Sequence, residues 1–111
     1  FNIREVHIMD DCFTYSKPRT LEFCRQVKES ALDVTFAFPN GVRADRVDEE
    51  TLAALRGIGV NFIAFGVESG NQQVLDAAGK GIALDRIRDA FAAAKRLGFV
   101  TWGFFIIGLI G

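Results

Sequence analysis

Two cysteines, one histidine and one methionine in 111 residues leave little from which to build a metal centre. Zinc and iron–sulfur sites draw three or four ligands at short, set spacings, whereas Cys12 and Cys24 stand twelve positions apart and His7 sits inside an apolar run. No disulfide framework can be written either, so the reducing cytoplasm is the expected compartment. Thirteen Lys and Arg against fourteen Asp and Glu give a net charge of −1. That balance supplies no summed field to draw the chain to nucleic acid or anionic lipid. Long hydrophobic runs are missing as well: the densest, residues 104–110, contains Gly108 and falls far short of the roughly 20 residues that cross a bilayer. The first residues carry no basic, then apolar, then small-residue pattern of a secretory signal. Small molecules and protein are the expected partners.

What is present is alternation. Val6-His7-Ile8-Met9 reads as a strand ending at Asp10-Asp11. Lys17-Pro18 opens a helix with Leu21, Cys24, Val27 and Ala31 at three- and four-residue spacing. Val34-Thr35-Phe36-Ala37-Phe38 is a second strand, closed by the turn residues Pro39-Asn40-Gly41. Asp48 caps a helix carrying Leu52, Leu55 and Ile58. Phe62-Ile63-Ala64-Phe65-Gly66-Val67 forms a third strand, followed by Glu68-Ser69-Gly70-Asn71 and a short helix around Val74-Leu75. A longer helix carries Leu84, Ile87, Phe91, Ala94 and Leu97, and Gly98 stops it. The fourth run, residues 100–110, is almost wholly apolar and reads as a buried strand.

Strands apolar on both faces belong to parallel sheets covered by helices. The fold class is therefore α/β, four consecutive βα units, with two architectures open. One is a small doubly wound sheet; the other is half of an eight-stranded βα barrel. In both, function gathers at the carboxyl ends of the strands.

Those ends hold the residues with chemistry. Asp10 and Asp11 point to opposite sides of a strand, so they are not a matched acid–base pair; one can accept hydrogen bonds from an ammonium or hydroxyl while the other caps the turn. Glu68 lies at the rim of the core, where a carboxylate needs a partner. A neighbouring Arg such as Arg43 is one candidate. Ser69-Gly70-Asn71 offers a small connection whose N–H groups can face a ligand. Arg43, held close to the strand ends, can fork onto a carboxylate or phosphate. Lys80, between Gly79 and Gly81, lacks the spacing of a phosphate-binding loop and reads as a loop residue. Phe36, Phe38, Phe62, Phe65, Trp102, Phe104 and Phe105 read as core. No Gly-x-Ser-x-Gly elbow or Ser/His/Asp set is present.

Taken in order, several strand-end phrases form a pattern. They are Val6-His7-Ile8-Met9-Asp10-Asp11-Cys12-Phe13-Thr14, Pro39-Asn40-Gly41-Val42-Arg43-Ala44-Asp45, Phe65-Gly66-Val67-Glu68-Ser69-Gly70-Asn71, Lys80-Gly81 and Gly103-Phe104-Phe105-Ile106-Ile107-Gly108-Leu109-Ile110-Gly111. The pattern resembles the radical S-adenosylmethionine superfamily, in particular its branch with cobalamin-binding members that includes the anaerobic magnesium-protoporphyrin monomethyl ester cyclase type. The resemblance covers essentially the whole chain. It implies a complete or three-quarters βα barrel, S-adenosylmethionine and a [4Fe-4S] cluster as cofactors, and cobalamin through another domain. Carried over residue by residue, it places Asp10 and Asp11 near the methionine amino group and Glu68 with Ser69 near the ribose. Gly108 falls in the turn beside the adenine, and Arg43 becomes a candidate for a cofactor or substrate carboxylate.

Two departures qualify the resemblance. The Cys-x-x-x-Cys-x-x-Cys loop of the family does not occur in this sequence, and Gly108-Leu109-Ile110-Gly111 stands where relatives commonly read Gly-Leu-Pro-Gly-Glu. Residues 1–111 are thus expected to be a partial core domain, about the second through fifth strands of the barrel, in an iron–sulfur oxidoreductase or methyltransferase-like tailoring enzyme. Without a cluster the segment by itself is expected to be inert. Exposed strand edges and apolar faces predict self-association. A complete receiver-like signalling domain, with its acidic pair after the first strand, is the alternative from another class; a non-catalytic binding module is a third.

Overall fold

The computed structural model describes residues 2–108. Four strands alternate with helices: β1 (Glu5–His7), α1 (Lys17–Ser30), β2 (Thr35–Ala37), α2 (Glu49–Gly57), β3 (Phe62–Glu68), α3 (Gln72–Ala77), α4 (Leu84–Arg96) and β4 (Val100–Phe105). Single 3-10 turns at Phe13–Tyr15 and Ala44–Arg46 precede α1 and α2. The helix starts follow from capping chemistry. The Ser16 hydroxyl accepts the Arg19 N–H ahead of Pro18 in the first turn, and the Asp48 carboxylate accepts the Thr51 N–H at 2.8 Å. The Asn71 side chain accepts from Gln73 and Val74. Ala31, expected within α1, is instead its left-handed C-cap at φ 54°.

All pairings are parallel. Val6 lies opposite Phe36 in the β1–β2 pair, and Ala64 lies opposite Trp102 in the β3–β4 pair. Isolated parallel bridges, Phe36 to Val60 and Val42 to Phe65, set the β2 segment against β3. The strands therefore neighbour one another in chain order. A receiver-type sheet runs 2-1-3-4-5 and would put β3 beside β1; that order is not what the chain adopts.

Side-chain alternation then assigns two faces. Ile63, Phe65 and Val67 of β3 are buried toward the helices, where Phe65 meets Phe91 of α4 edge-on with ring centroids 4.9 Å apart. The core continues through Phe36, Phe38, Leu52, Leu55, Val60 and Leu75. Phe62, Ala64 and Gly66 occupy the opposite face, in register with Val100, Trp102 and Phe104.

The outer strands correct two expectations. The fourth run forms a strand only as far as Phe105, and it is not buried: Trp102 is 60% exposed, Phe105 62% and Ile107 99%. β1 is likewise short and exposed, its ladder stopping at His7 before Ile8 N–H donates to the Ala37 carbonyl. The physical reason is position. Apolar composition suits these strands for burial, but each pairs along one edge only, in a two-stranded sheet, and among the described residues lacks the bridges that join the β2 and β3 segments. Trp102, Phe104 and Phe105 are thus surface, while Phe36, Phe38 and Phe65 are core and Phe62 is half-buried. Among the described residues no helix is long and apolar enough to cross a membrane.

Candidate functional site

The carboxyl ends of the strands converge on one rim. At the end of β1, the Asp10 carboxylate lies 3.7 Å from the Arg19 guanidinium of α1. That contact turns Asp10 toward the helix layer and leaves Asp11, exposed on the next residue, as the member of the pair without a side-chain partner among the described residues. The Asn40 amide ties the β2 end to β1 by donating to the Met9 carbonyl at 2.7 Å. Gly41, at φ 78°, lets the chain turn against β3: a Cβ there would stand 3.1 Å from both the Ala64 carbonyl oxygen and the Phe104 ring.

The end of β3 is the most constrained point of the rim. Glu68 adopts φ 70°, a left-handed conformation that costs a non-glycine residue about 1 kcal/mol. It does so at an irregularity between Gly66 and Glu68, where β3 slips by one residue against β4. Its carbonyl still accepts the Ile106 N–H at 2.9 Å, so the ladder survives the slip. Its carboxylate accepts from the Lys80 ammonium at 3.2 Å, and the two side chains are 27% and 16% exposed. Both charged ends lie over Gly66: a Cβ on that residue would meet Glu68 Oε1 at 3.1 Å and Lys80 Nζ at 3.3 Å. Gly66 belongs to the face away from the helices. The ion pair therefore shares that face with the aromatic shelf of Pro39, Phe62, Trp102 and Phe104.

Two expectations change here. The partner of Glu68 is Lys80 rather than Arg43. Lys80 is a loop residue, as expected, yet its ammonium reaches back across α3 to the strand end, and sequence reasoning missed it. The available sign was a Gly-Lys-Gly sequence one short helix after a strand-end carboxylate. Arg43 is engaged elsewhere: its Nε and Nη2 donate to the two oxygens of Asp45 at 2.9 Å each, and Nη2 also donates to the Lys80 carbonyl at 3.3 Å. This fork holds the Asp45 carboxyl below its ordinary range. Ser69 is used locally, its hydroxyl accepting the Asn71 N–H at 3.1 Å. Gly108 lies in an exposed turn past β4 at φ 85°; Leu109, Ile110 and Gly111, the rest of that motif, lie outside the described residues.

Chemically the rim offers carboxylates at Asp11 and Glu68, an ammonium at Lys80, and a floor of backbone and glycine. An amino-acid zwitterion with a ribose diol wants such a set. An iron–sulfur cluster does not find its ligands here. Cys12 is half-buried beside Thr14, Cys24 is buried in α1 with its thiol pKa raised by burial, and no group of three His, Cys, Asp or Glu side chains gathers among the described residues.

Comparison with known proteins decides the family. The model of the Radical SAM superfamily matches residues 1–111. The chain belongs to the radical SAM superfamily. Curated relatives include an uncharacterized methyltransferase of Pyrococcus horikoshii, 32% identical over 108 residues, or 97% of this chain and 23% of that protein. Cytidylyl-2-hydroxyethylphosphonate methyltransferase of Streptomyces wedmorensis is 36% identical over 110 residues, 98% of this chain and 20% of its own length. The chain thus spans about a fifth of the curated relatives it matches.

Solved structures give the same radical SAM fold. The cobalamin-dependent S-adenosylmethionine radical enzyme OxsB, with aqua-cobalamin and S-adenosylmethionine bound, superposes with a TM-score of 0.81 at 24% identity, covering 96% of this chain and 17% of OxsB. Methylornithine synthase (PylB) superposes with a TM-score of 0.67 at 23% identity, covering 98% of this chain and 31% of PylB. The parallel strands in chain order agree with the βα-barrel class of fold. With the family established, the receiver-like alternative falls.

Proposed function

We propose that residues 1–111 are the S-adenosylmethionine-holding sector of a radical SAM methyltransferase, a half barrel of four βα units whose strand ends grip the cofactor. One observation carries the reading: the Glu68–Lys80 pair is fixed over Gly66 on the open face of the sheet, by a strained backbone at a strand's carboxyl end. In this reading Lys80 receives the methionine carboxylate, and Asp11, with Asp10 braced behind it by Arg19, receives the ammonium. Glu68 and the N–H groups around Ser69 meet the ribose, and the Gly108 turn lies beside the adenine. When bound, S-adenosylmethionine supplies either a methyl group or the hydrogen-abstracting radical of the family's reactions. The chain's own part is to orient the cofactor and to keep water off the reacting face with the Pro39, Phe62, Trp102 and Phe104 shelf.

The three-cysteine loop for the [4Fe-4S] cluster belongs, in this proposal, to another stretch of the same protein, and cobalamin to another domain. The methyltransferase names of the two curated relatives favour methyl transfer over a plain oxidoreductase reaction. A reducing cytoplasm suits the free thiols.

The test uses the full-length protein, purified and reconstituted without oxygen. S-adenosylmethionine binding is measured by calorimetry, its reductive cleavage under dithionite by mass spectrometry of 5′-deoxyadenosine, and cobalamin by its visible spectrum. Binding that Glu68→Gln and Lys80→Met each weaken tenfold or more supports the proposal. Binding indifferent to both substitutions sinks it.

A further inference from the structure

The Gly79-Lys80-Gly81 segment has little of its own to hold it in place. Both glycines take left-handed conformations, φ 72° and 68°, and a Cβ at either would meet nothing within 4 Å. Both glycines are exposed, yet Lys80 between them is the most buried charged group of the rim. Three polar ties account for its position. Its N–H donates to the Leu75 carbonyl at 3.0 Å, at the end of α3. Its ammonium bonds Glu68. Its own carbonyl accepts from Arg43, thirty-seven residues earlier in the chain, and that guanidinium is itself locked by the two-point fork with Asp45.

Resting on the cofactor reading above, we infer that Arg43 is a positioning residue: with Asp45 it clamps the Lys80 backbone, so that the ammonium stays aimed at the strand-end site, and it does not itself touch S-adenosylmethionine. The carboxylate role that the resemblance gave Arg43 passes to Lys80. The chemistry of the two groups supports this division. A planar guanidinium can grip a carboxylate with one edge and a carbonyl with the next N–H, which a lysine cannot do. A flexible ammonium, by contrast, needs its stem fixed before it can select one geometry. The clamp also links the β2–α2 connection to the α3–α4 loop.

A double-mutant cycle in the full-length protein tests the inference, read as the Kd for S-adenosylmethionine by anaerobic calorimetry. Lys80→Met is expected to weaken binding tenfold or more. Arg43→Gln and Asp45→Asn are each expected to weaken it several-fold. The Arg43→Gln/Lys80→Met double variant is expected to bind no worse than Lys80→Met alone, because the clamp has nothing left to position. Arg43→Lys is expected to behave like Arg43→Gln, since it keeps the charge and loses the fork. A double variant showing the product of the two losses would make Arg43 a direct ligand and overturn the clamp. Arg43→Lys at wild-type affinity would overturn it too, because charge alone would then suffice. If Lys80→Met leaves the Kd unchanged, the strand-end reading fails first and the clamp with it; if Lys80→Met weakens binding and Arg43→Gln does not, only the clamp fails.

Discussion

Gly66→Ala separates what the rim does for the fold from what it does for a ligand, because it removes no functional group. The added methyl would stand 3.1 Å from Glu68 Oε1 and 3.3 Å from Lys80 Nζ, a few tenths of an ångström inside ordinary contact. Both neighbours are the far ends of flexible side chains, so they give way and the backbone does not. Gly66 has no left-handed φ, so Ala is not strained and gains up to about 0.5–1 kcal/mol by restricting the unfolded chain. Loosening a partly exposed ion pair costs about the same or less. Stability should therefore stay within about 1 kcal/mol of the parent. Cofactor affinity should not: moving one charge-assisted contact off its best geometry forfeits part of its roughly 1.5–3 kcal/mol, so the Kd should rise about three- to tenfold. Thermal melts and anaerobic calorimetry on the full-length protein read the two quantities. An unchanged Kd, or a destabilisation of about 3 kcal/mol, would refute the placement of the pair over Gly66.

Gly41→Ala should behave oppositely. Its Cβ would press on the Ala64 carbonyl, which is backbone, and its φ is left-handed, so a loss of roughly 2–4 kcal/mol is expected in urea denaturation. Asp48→Ala should cost about 1 kcal/mol at pH 7 through the lost cap of α2. Lys17 and the Thr51 N–H hold the Asp48 carboxyl at about 2, below its value near 3.9 in an unfolded chain. That stabilisation is complete above pH ~4 and is lost as the pH falls through ~2, so parent and variant should converge in acid-side urea titrations. Light scattering on residues 1–111 at tens of micromolar should show self-association, reduced by Trp102→Gln with Phe105→Ser; a clean monomer with a cooperative melt would contradict it. The same stretch alone should release no 5′-deoxyadenosine from S-adenosylmethionine under dithionite.

The legible parts of this fold are those whose signals are local. The Phe62–Glu68 strand, the Asp48 cap and the long amphipathic α4 follow from runs of a few residues, and the structure has them where periodicity puts them. The failures have a common cause. An apolar run reads the same whether or not another layer covers it, so the exposure of Trp102 and Phe105 could not be read from their composition. The Glu68–Lys80 contact spans twelve residues and a whole helix, and it depends on a slip between β3 and β4 that no local pattern announces. Arg43 shows the intermediate case. Its closeness to the strand ends followed from the Asn40-Gly41 turn; its commitment to Asp45 was within reach two residues on, and its bond to the Lys80 carbonyl was not.

Among the described residues two non-glycines have positive φ, and the contrast between them bears on function. Ala31 closes α1, the place at a helix end where a left-handed residue commonly stops the helix. Glu68 closes no helix. A glycine at its position would relieve about 1 kcal/mol of backbone strain, and its carbonyl would still accept the Ile106 N–H of the ladder. What a glycine would remove is the carboxylate, and with it the partner that Lys80 needs on being drawn out of solvent. Strain at this one point is therefore the cost of keeping two opposite charges on the open face of the sheet, and a fold selected for stability alone has no use for them. Their location at the carboxyl end of a parallel strand, tied through Arg43 to the turn after β2, is where a βα sheet presents its ligand.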